Sequence, residues 1–171
     1  MFSIDESSLF DLYVSAVEAF PHTTRRQHAT QPIEIQQLSI TPFLGVKTLF
    51  LKAAAINEGR EYRPMILFKG VVYGSDSTGG KIQITTSDGS HRWVQRPSLA
   101  ENGVVLRCNC DDFYWRFNYF DHLDKSLYGR KRAPYQARLN PGSANPMELP
   151  GMCKHLMKFA EVLNDTGFIT N

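Results

Sequence analysis

The chain has 171 residues, 42% of them hydrophobic and 21% charged, a composition typical of a globular protein with room for one ordinary domain. Its 19 basic and 17 acidic residues leave a formal charge of +2, which by itself does not argue for nucleic-acid binding. The chain has no apolar run near the ~20 residues needed to span a bilayer and no basic region of a signal peptide, so we expect a soluble protein made in a cytoplasm and not secreted.

The first predicted element is a helix over residues 3–20. Ser3 and Glu6 have the spacing of a capping box at its start, and Pro21 ends it. Between them, apolar residues recur at intervals of three and four and form one stripe, namely Leu9, Leu12, Tyr13, Ala16, Val17 and Phe20. The polar segment 21–32, with a proline at each end, is predicted to be a loop.

Residues 33–107 predict an antiparallel β-sheet. Segments rich in β-branched and aromatic residues alternate with turn signals such as GSDSTGG and SDGS, in which glycine supplies a positive φ. The segments are IEIQQLSI, VKTLFLKAAAI, MILFKGVVYG, KIQITTS, HRWVQ and VVLRCNC. This spacing is typical of an antiparallel meander of about five or six strands, so the predicted fold class is α+β.

The remaining residues contain a long excursion and a final helix. Residues 111–127 are aromatic and of mixed charge, and fit either a strand that runs into a loop or a short helix. Residues 128–150 hold four prolines and four arginine or lysine residues, which indicates irregular extended backbone. The segment 151–164 predicts a helix that Asn164 and Gly167 end. Its apolar face consists of Leu156, Phe159, Ala160 and Leu163.

We therefore expect a single domain, 1–171. Its parts are an N-terminal helix and loop (1–32), antiparallel strands (33–107), and a zinc-stapled unit (108–171) with a basic and aromatic excursion over 111–150.

All three cysteines of the chain lie in two short motifs. An odd number of cysteines in an intracellular protein argues against a disulfide framework and leaves free thiols, a nucleophile or metal ligands. Cys108 and Cys110 form C-x-C, and residues i and i+2 of an extended strand point to the same face. Cys153 and His155 form C-x-H at the start of the last predicted helix, where their side chains converge only if the pair occupies the entering turn.

Three thiolates and one imidazole are a complete tetrahedral ligand set for Zn²⁺, and sulfur ligands without a carboxylate favour zinc over magnesium or calcium. We therefore predict a structural zinc site formed by Cys108, Cys110, Cys153 and His155, with unliganded thiols as the alternative. A catalytic dyad of Cys153 and His155 is disfavoured, because a nucleophile and its base usually come from distant segments. His122 could be a spare ligand, although an ordinary loop position is the simpler interpretation.

The CNC and CKHL motifs, the second leading into an amphipathic helix, resemble the SWIM-type zinc finger, whose pattern is C-x-C … C-x-H. The resemblance covers about residues 104–164 and implies a small ββα zinc unit with the same four ligands. That family is associated with binding DNA or protein partners. The 42 residues between Cys110 and Cys153 are more than is usual in it.

The order of several phrases, from FPHTTRRQHAT through YRPMILFKGVVYG to NPMELPGMCKHL, looks like uncharacterised structural proteins of tailed bacteriophages. This second resemblance implies a small virion component of the neck, tail or baseplate. It places the protein in the virion and implies that other structural proteins of the particle are its partners.

A basic segment between Lys125 and Arg138 carries no acidic residue. Its cations and tyrosines could contact nucleic acid by neutralising phosphates and stacking on bases, dock on a protein surface, or form a solvated loop. We favour protein contact and predict seven partner-binding residues: Lys125, Tyr128, Arg130, Lys131, Arg132, Tyr135 and Arg138. The aromatic run FYWRFNYF over 113–120 is either core or an exposed interface patch.

The sequence contains no Ser/His/Asp set, paired-carboxylate motif or phosphate-binding glycine loop. We therefore predict a non-enzymatic zinc-binding structural protein that works through protein contacts in an assembly, with a tailed-phage particle as the favoured assembly. The alternative is a SWIM-like zinc module that binds nucleic acid through residues 125–138. No membrane or small-molecule substrate is expected as a partner.

Overall fold

The computed structural model describes residues 6–21, 28–132 and 144–171. Within these ranges the chain forms four α-helices and eight strands. In chain order they are α1 (Leu9–Ala19), β1 (Glu34–Phe43), β2 (Thr48–Asn57), β3 (Arg60–Tyr62), β4 (Met65–Phe68), β5 (Tyr73–Gly74), β6 (Ile82–Thr85), β7 (His91–Val94), β8 (Val104–Arg107), α2 (Asp111–Arg116), α3 (Asn118–Leu123) and α4 (Lys154–Asp165).

Helix α1 begins later than the sequence predicted, because Ser8 is its N-cap. The Ser8 hydroxyl accepts the backbone N–H of Asp11, and the Asp11 carboxylate accepts the backbone N–H of Ser8. The predicted capping box was therefore wrong: Glu6 precedes the helix and pairs with Lys69 at 3.0 Å, and Ser3 lies outside the described residues. Of the predicted loop 21–32, residues 22–27 also lie outside them.

The main sheet contains five antiparallel strands and confirms the predicted α+β class. Its order is β1-β2-β4-β8, and β3 pairs with β2 beyond the end of β4. Leu51 on β2 faces Ile66 on β4, which in turn faces Leu106 on β8. All three of these side chains are fully buried, so one face of the sheet forms the floor of the core.

A second sheet of three strands, in the order β5-β7-β6, accounts for the remaining predicted strands. The strands therefore do not form one continuous meander: the chain leaves β4, builds the small sheet, and returns to pair β8 with β4. Hydrogen bonds join the small sheet and the turn after β6 to the main sheet. The Tyr73 hydroxyl donates to the Thr48 carbonyl at 2.5 Å, and Ser87 N–H donates to the Ile40 carbonyl at 2.8 Å.

The ambiguous segment 111–127 is mainly helical. Helices α2 and α3 follow each other around Phe117, which is the C-cap residue of the first and the N-cap residue of the second. The chain then returns to the sheet, where Leu127 forms a parallel bridge with Leu106 of β8. Residues 133–143 of the predicted excursion lie outside the described residues.

The predicted apolar face of α4 is confirmed. Leu156, Phe159, Ala160 and Leu163 are all buried, and they join one core cluster with side chains of α1, the main sheet and α2. Burial of each large apolar side chain stabilises the fold by roughly 1.5–3 kcal/mol, so packing contributes to holding α4 against the sheet. None of the described helices is long and apolar enough to cross a membrane.

Candidate metal centre

The four predicted ligands come from two chain segments that the fold brings together. Cys108 directly follows β8, and Cys110 is the N-cap residue of α2. Cys153 is the N-cap residue of α4, and His155 lies in the first turn of that helix. The C-x-H pair therefore lies at the start of a helix, where its two side chains converge as predicted.

The ligand atoms are spaced as a tetrahedral site requires. One atom from each of the four residues lies within 4.8 Å of all the others, and His155 Nδ1 is 3.9 Å from Cys108 Sγ and 3.8 Å from Cys153 Sγ. In a tetrahedron, Zn–S bonds of about 2.3 Å and a Zn–N bond of about 2.0 Å give S···S and S···N distances of about 3.5–3.8 Å, so a bound ion would draw the four atoms slightly closer together. All four residues are at most 3% exposed, so the cluster is closed to solvent.

The pKa values of the three thiols shift in opposite directions. Burial raises the pKa of the Cys108 and Cys153 thiols, whereas hydrogen bonds from Cys108, Cys153 and His155 lower the pKa of Cys110. The Phe113 backbone N–H also donates to Cys110 Sγ at 3.3 Å. Negative charge on buried sulfur needs a counter-charge. Three sulfurs and one imidazole, with no oxygen ligand, fit a metal ion of the zinc type.

Two residues that the sequence did not identify fix the ring of His155. The ring stacks on Tyr62 of β3, with centroids 4.1 Å apart and an interplanar angle of 24°. Its Nε2 lies 3.5 Å from the side-chain amide of Asn57, at the end of β2. In the sequence Asn57 reads only as part of a turn, so no local signal connects it to a histidine 98 positions later.

The segment before Cys153 is held between α1 and the α2–α3 pair. The Ser15 hydroxyl donates to the Pro150 carbonyl at 2.6 Å, and Gly151 N–H donates to Asp121 Oδ1 at 2.7 Å. A Cβ at position 151 would lie 2.6 Å from the ring of Phe117. Burial raises the pKa of Asp121 well above its usual value, and the nearby Asp124 carboxylate adds to this shift.

The predicted partner-binding residues divide into three groups. Lys125, Arg130 and Lys131 are exposed, and the half-buried ring of Tyr128 stacks on Phe50 with centroids 5.1 Å apart. Tyr135 and Arg138 lie outside the described residues.

Arg132 is instead a structural residue. Its side chain is buried, and its guanidinium donates to the carbonyls of Tyr114 and Trp115 at the end of α2. Its partner-binding role stays a prediction, and any partner would meet a guanidinium that already donates to these two helix carbonyls. Asn145 donates to the next carbonyl, that of Arg116, at 2.9 Å. Arg132 and Asn145 are therefore both hydrogen-bonded to the last turn of α2.

The aromatic run 113–120 contains both buried and exposed rings. Phe113, Phe117 and Phe120 are buried in or beside the core, whereas Tyr114 and Trp115 are exposed. Trp115 stands on a groove of about 1020 Å³ whose wall includes Cys110 and His155. His122 is exposed on α3 and is not among the clustered ligands.

No protein-family model matches this chain, and comparisons with curated proteins and with solved structures found no significant match.

Proposed function

We propose that this protein is a non-enzymatic, zinc-binding structural protein that acts through protein–protein contacts in an assembly. The observation that carries the proposal is the complete, buried Cys₃His set joining β8, α2 and α4. A zinc ion with four protein ligands has no open position for a substrate or a reactive water. Its contribution is to folding: Cys108 and Cys110 hold one segment, Cys153 and His155 the other, and the ion ties α4 to the sheet.

The sequence pattern supports describing residues 104–164 as a SWIM-like unit. Its C-x-C half follows a strand and its C-x-H half opens a helix. The placement of C-x-C after a strand and of C-x-H at a helix start is what supports the comparison with the SWIM-type zinc finger.

Exposed apolar side chains support the choice of protein contacts. Phe43, Leu44 and Val46 are exposed at the turn between β1 and β2, and Val71 N–H donates to the Lys47 carbonyl, which brings the exposed Val72 close to that turn. Large apolar and aromatic side chains at the surface are typical of interaction sites. The phrase-order resemblance to tailed-phage structural proteins makes a virion, at its neck, tail or baseplate, the assembly we propose.

The proposal is tested by metal analysis and by the composition of the particle. Protein purified without chelator should contain one zinc ion per chain, and protein without metal would contradict the zinc assignment. In particles of the phage that encodes the chain, the chain should co-purify with the other structural proteins in a fixed ratio. Recovery only as free protein in the lysate would contradict the structural role.

Nucleic-acid binding by the basic segment is the second candidate, supported by the exposed cations Lys125, Arg130 and Lys131. Binding that depends on phosphate contacts falls steeply with salt. The double variant Arg130→Glu/Lys131→Glu should then abolish DNA binding, while Arg92→Glu/Arg96→Glu, exposed cations on and after β7, makes the same change in net charge and should not. Equal effects of the two double variants, or salt-insensitive binding, would remove this candidate.

A further inference from the structure

Helix α1 carries two apolar stripes, and only one of them faces the core. Leu9, Leu12, Ala16 and Ala19 form the buried stripe. Phe10, Tyr13, Val14 and Val17 recur at helical spacing on the adjacent face, where Phe10 is 49% and Tyr13 47% exposed. A surface helix normally presents polar side chains on its outer face, so the second stripe has the composition of a covered surface.

The outer stripe borders a groove between α1 and α4. The groove has a volume of about 370 Å³ and is lined mainly by apolar side chains. Phe10 and Tyr13 form one wall, and Met152, Met157 and Ala160 contribute to the opposite side. This volume is sufficient for one or two large side chains of a partner, and methionine side chains adapt readily to what they contact.

The charged residues beside the outer stripe indicate which charge a partner that covers it would carry. The only charged residues of α1 are Asp11 and Glu18, and at 100° per residue both fall on the edge of the stripe away from the groove. On the groove side, Glu161 is paired with Lys158 at 3.0 Å, which neutralises that rim. Among the described residues, the charges that border the stripe away from the groove are therefore the carboxylates of Asp11, which also accepts the Ser8 N–H, and Glu18.

A second copy of the chain fits this surface poorly. Antiparallel two-fold packing of one α1 against another would place the two acidic edges side by side, and like charges across an interface are unfavourable. A helix with cations along one edge would instead face Asp11 and Glu18 with opposite charge.

We propose that the outer stripe of α1 and the α1–α4 groove together bind an amphipathic helix of another protein, with an apolar stripe and Lys or Arg along one side. This inference rests on the proposed function, because it names one of the contacts through which the chain would act. Helix-in-groove binding uses apolar anchors at i, i+3, i+4 and i+7. The 11 residues of α1 offer a surface about 16 Å long, which corresponds to about three turns of a partner helix.

The test uses the zinc-loaded full-length chain and two fluorescent synthetic helical peptides. The peptides share one leucine and phenylalanine stripe and differ only in the residues beside it, which are lysine in one and glutamate in the other. Fluorescence anisotropy should show the lysine peptide binding at least about tenfold more tightly. The formal charge of the chain is +2, so non-specific attraction would favour the glutamate peptide.

Substitutions on and away from the outer stripe test where the lysine peptide binds. Phe10→Ser/Tyr13→Ser should weaken binding of the lysine peptide at least about tenfold, and Glu18→Lys should reduce the preference for it. The control, Val46→Ser/Leu123→Ser, removes two exposed apolar side chains elsewhere and should leave binding unchanged. Circular dichroism checks that each variant remains folded.

Three results would overturn the inference: no binding of either peptide, equal binding of both, or equal loss in the control variant. A concentration-dependent dimer that Phe10→Ser/Tyr13→Ser dissociates would make a second copy the occupant and would also overturn it. None of these results changes whether the chain contains zinc or co-purifies with a particle, so the proposed function succeeds or fails separately.

Discussion

Two neighbours, Tyr62 and Asn57, hold the ring of His155 in its orientation. Substitution of either neighbour should therefore change the affinity for the metal. A metal ion on Nδ1 leaves the proton on Nε2, which then needs an acceptor. The Asn57 atom that lies 3.5 Å from Nε2 is Nδ2, and turning the amide over by 180° places its oxygen there as the acceptor of that proton. Tyr62 restricts rotation of the ring by stacking on it.

We expect Asn57→Leu to lower zinc affinity about 10- to 100-fold, because the buried Nε2–H loses its acceptor and the ring its orientation. Asn57→Asp keeps an acceptor at the same place and should bind zinc nearly as tightly as the wild type. Competition with a chelating dye measures both affinities. Wild-type affinity in Asn57→Leu would show that Asn57 does not position the ligand.

Asp121 gives a prediction about pH. The pKa of this carboxyl is raised in the folded protein and is about 3.9 in an unfolded chain. The folded state therefore keeps a proton that the unfolded state loses, so the contribution of Asp121 to the free energy of unfolding is complete below about pH 3.9 and falls as pH rises towards the folded pKa.

Asp121→Asn should remove this fall, because an amide oxygen still accepts the N–H of Gly151 but does not titrate. Asp121→Ala should cost about 1–3 kcal/mol, because the buried N–H loses its acceptor. Urea unfolding from about pH 4 upwards, compared at each pH between proteins with the same zinc content, follows this fall in the three proteins. Parallel pH profiles for wild type and Asp121→Asn would contradict the assignment.

At the scale of elements, the segment that leads into α4 depends on close packing at Gly151. A methyl group there would meet the Phe117 ring at 2.6 Å and the Ala16 side chain at 2.9 Å. We expect Gly151→Ala to destabilise the fold by about 1–3 kcal/mol and to weaken zinc binding, because Cys153 lies two residues further on.

Gly45→Ala is the matched control for Gly151→Ala. Position 45 has nothing within 4 Å of an added Cβ and no positive φ, so this substitution should be close to neutral. Thermal unfolding of both zinc-loaded variants gives the comparison. Equal stability of the two variants would show that the chain at 151 relaxes without cost.

The elements that were predicted correctly are those whose sequence signals lie within the element itself. The stripe of α4 and the residue composition of the segment VKTLFLKAAAI are local signals, and both elements are found. The start of α1 was misplaced because Ser3/Glu6 and Ser8/Asp11 both have cap spacing, and only the second pair caps the helix. Residues 111–127 stayed ambiguous because aromatic residues suit strands and helices alike, and a thiol at Cys110 is not a usual N-cap signal.

At the scale of the molecule, strand order and long-range contacts could not be predicted from local patterns. The pairing of β8 with β4 crosses the whole small sheet, and turn signals do not specify such a return. The four ligands were predictable because three scarce cysteines and one histidine occur in two matching motifs. Asn57, Tyr62 and Arg132 were not, because their roles are defined only by partners that lie far away in the chain.

Metal removal should affect the whole C-terminal third. Structural zinc sites couple metal binding to folding, so a chelator, or Cys108→Ala, should unfold at least the residues that follow β8. Hydrogen exchange measured with and without chelator should show the loss of protection in α2, α3 and α4. Equal protection in both conditions would show that core packing alone maintains these helices.

The anchoring of Arg132 and Asn145 on consecutive carbonyls of α2 has a consequence for how this chain can vary. The chain between these two residues begins and ends at fixed points. Cys108 and Cys110 precede Arg132, and Cys153 and His155 follow Asn145, so all four candidate ligands lie outside this span. The closure entropy of such a span grows only logarithmically, by about 0.6 kcal/mol for each doubling of its length. We therefore expect a change in the number of residues between Arg132 and Asn145 to leave the sheet and the four clustered side chains in place, as long as both anchors are kept.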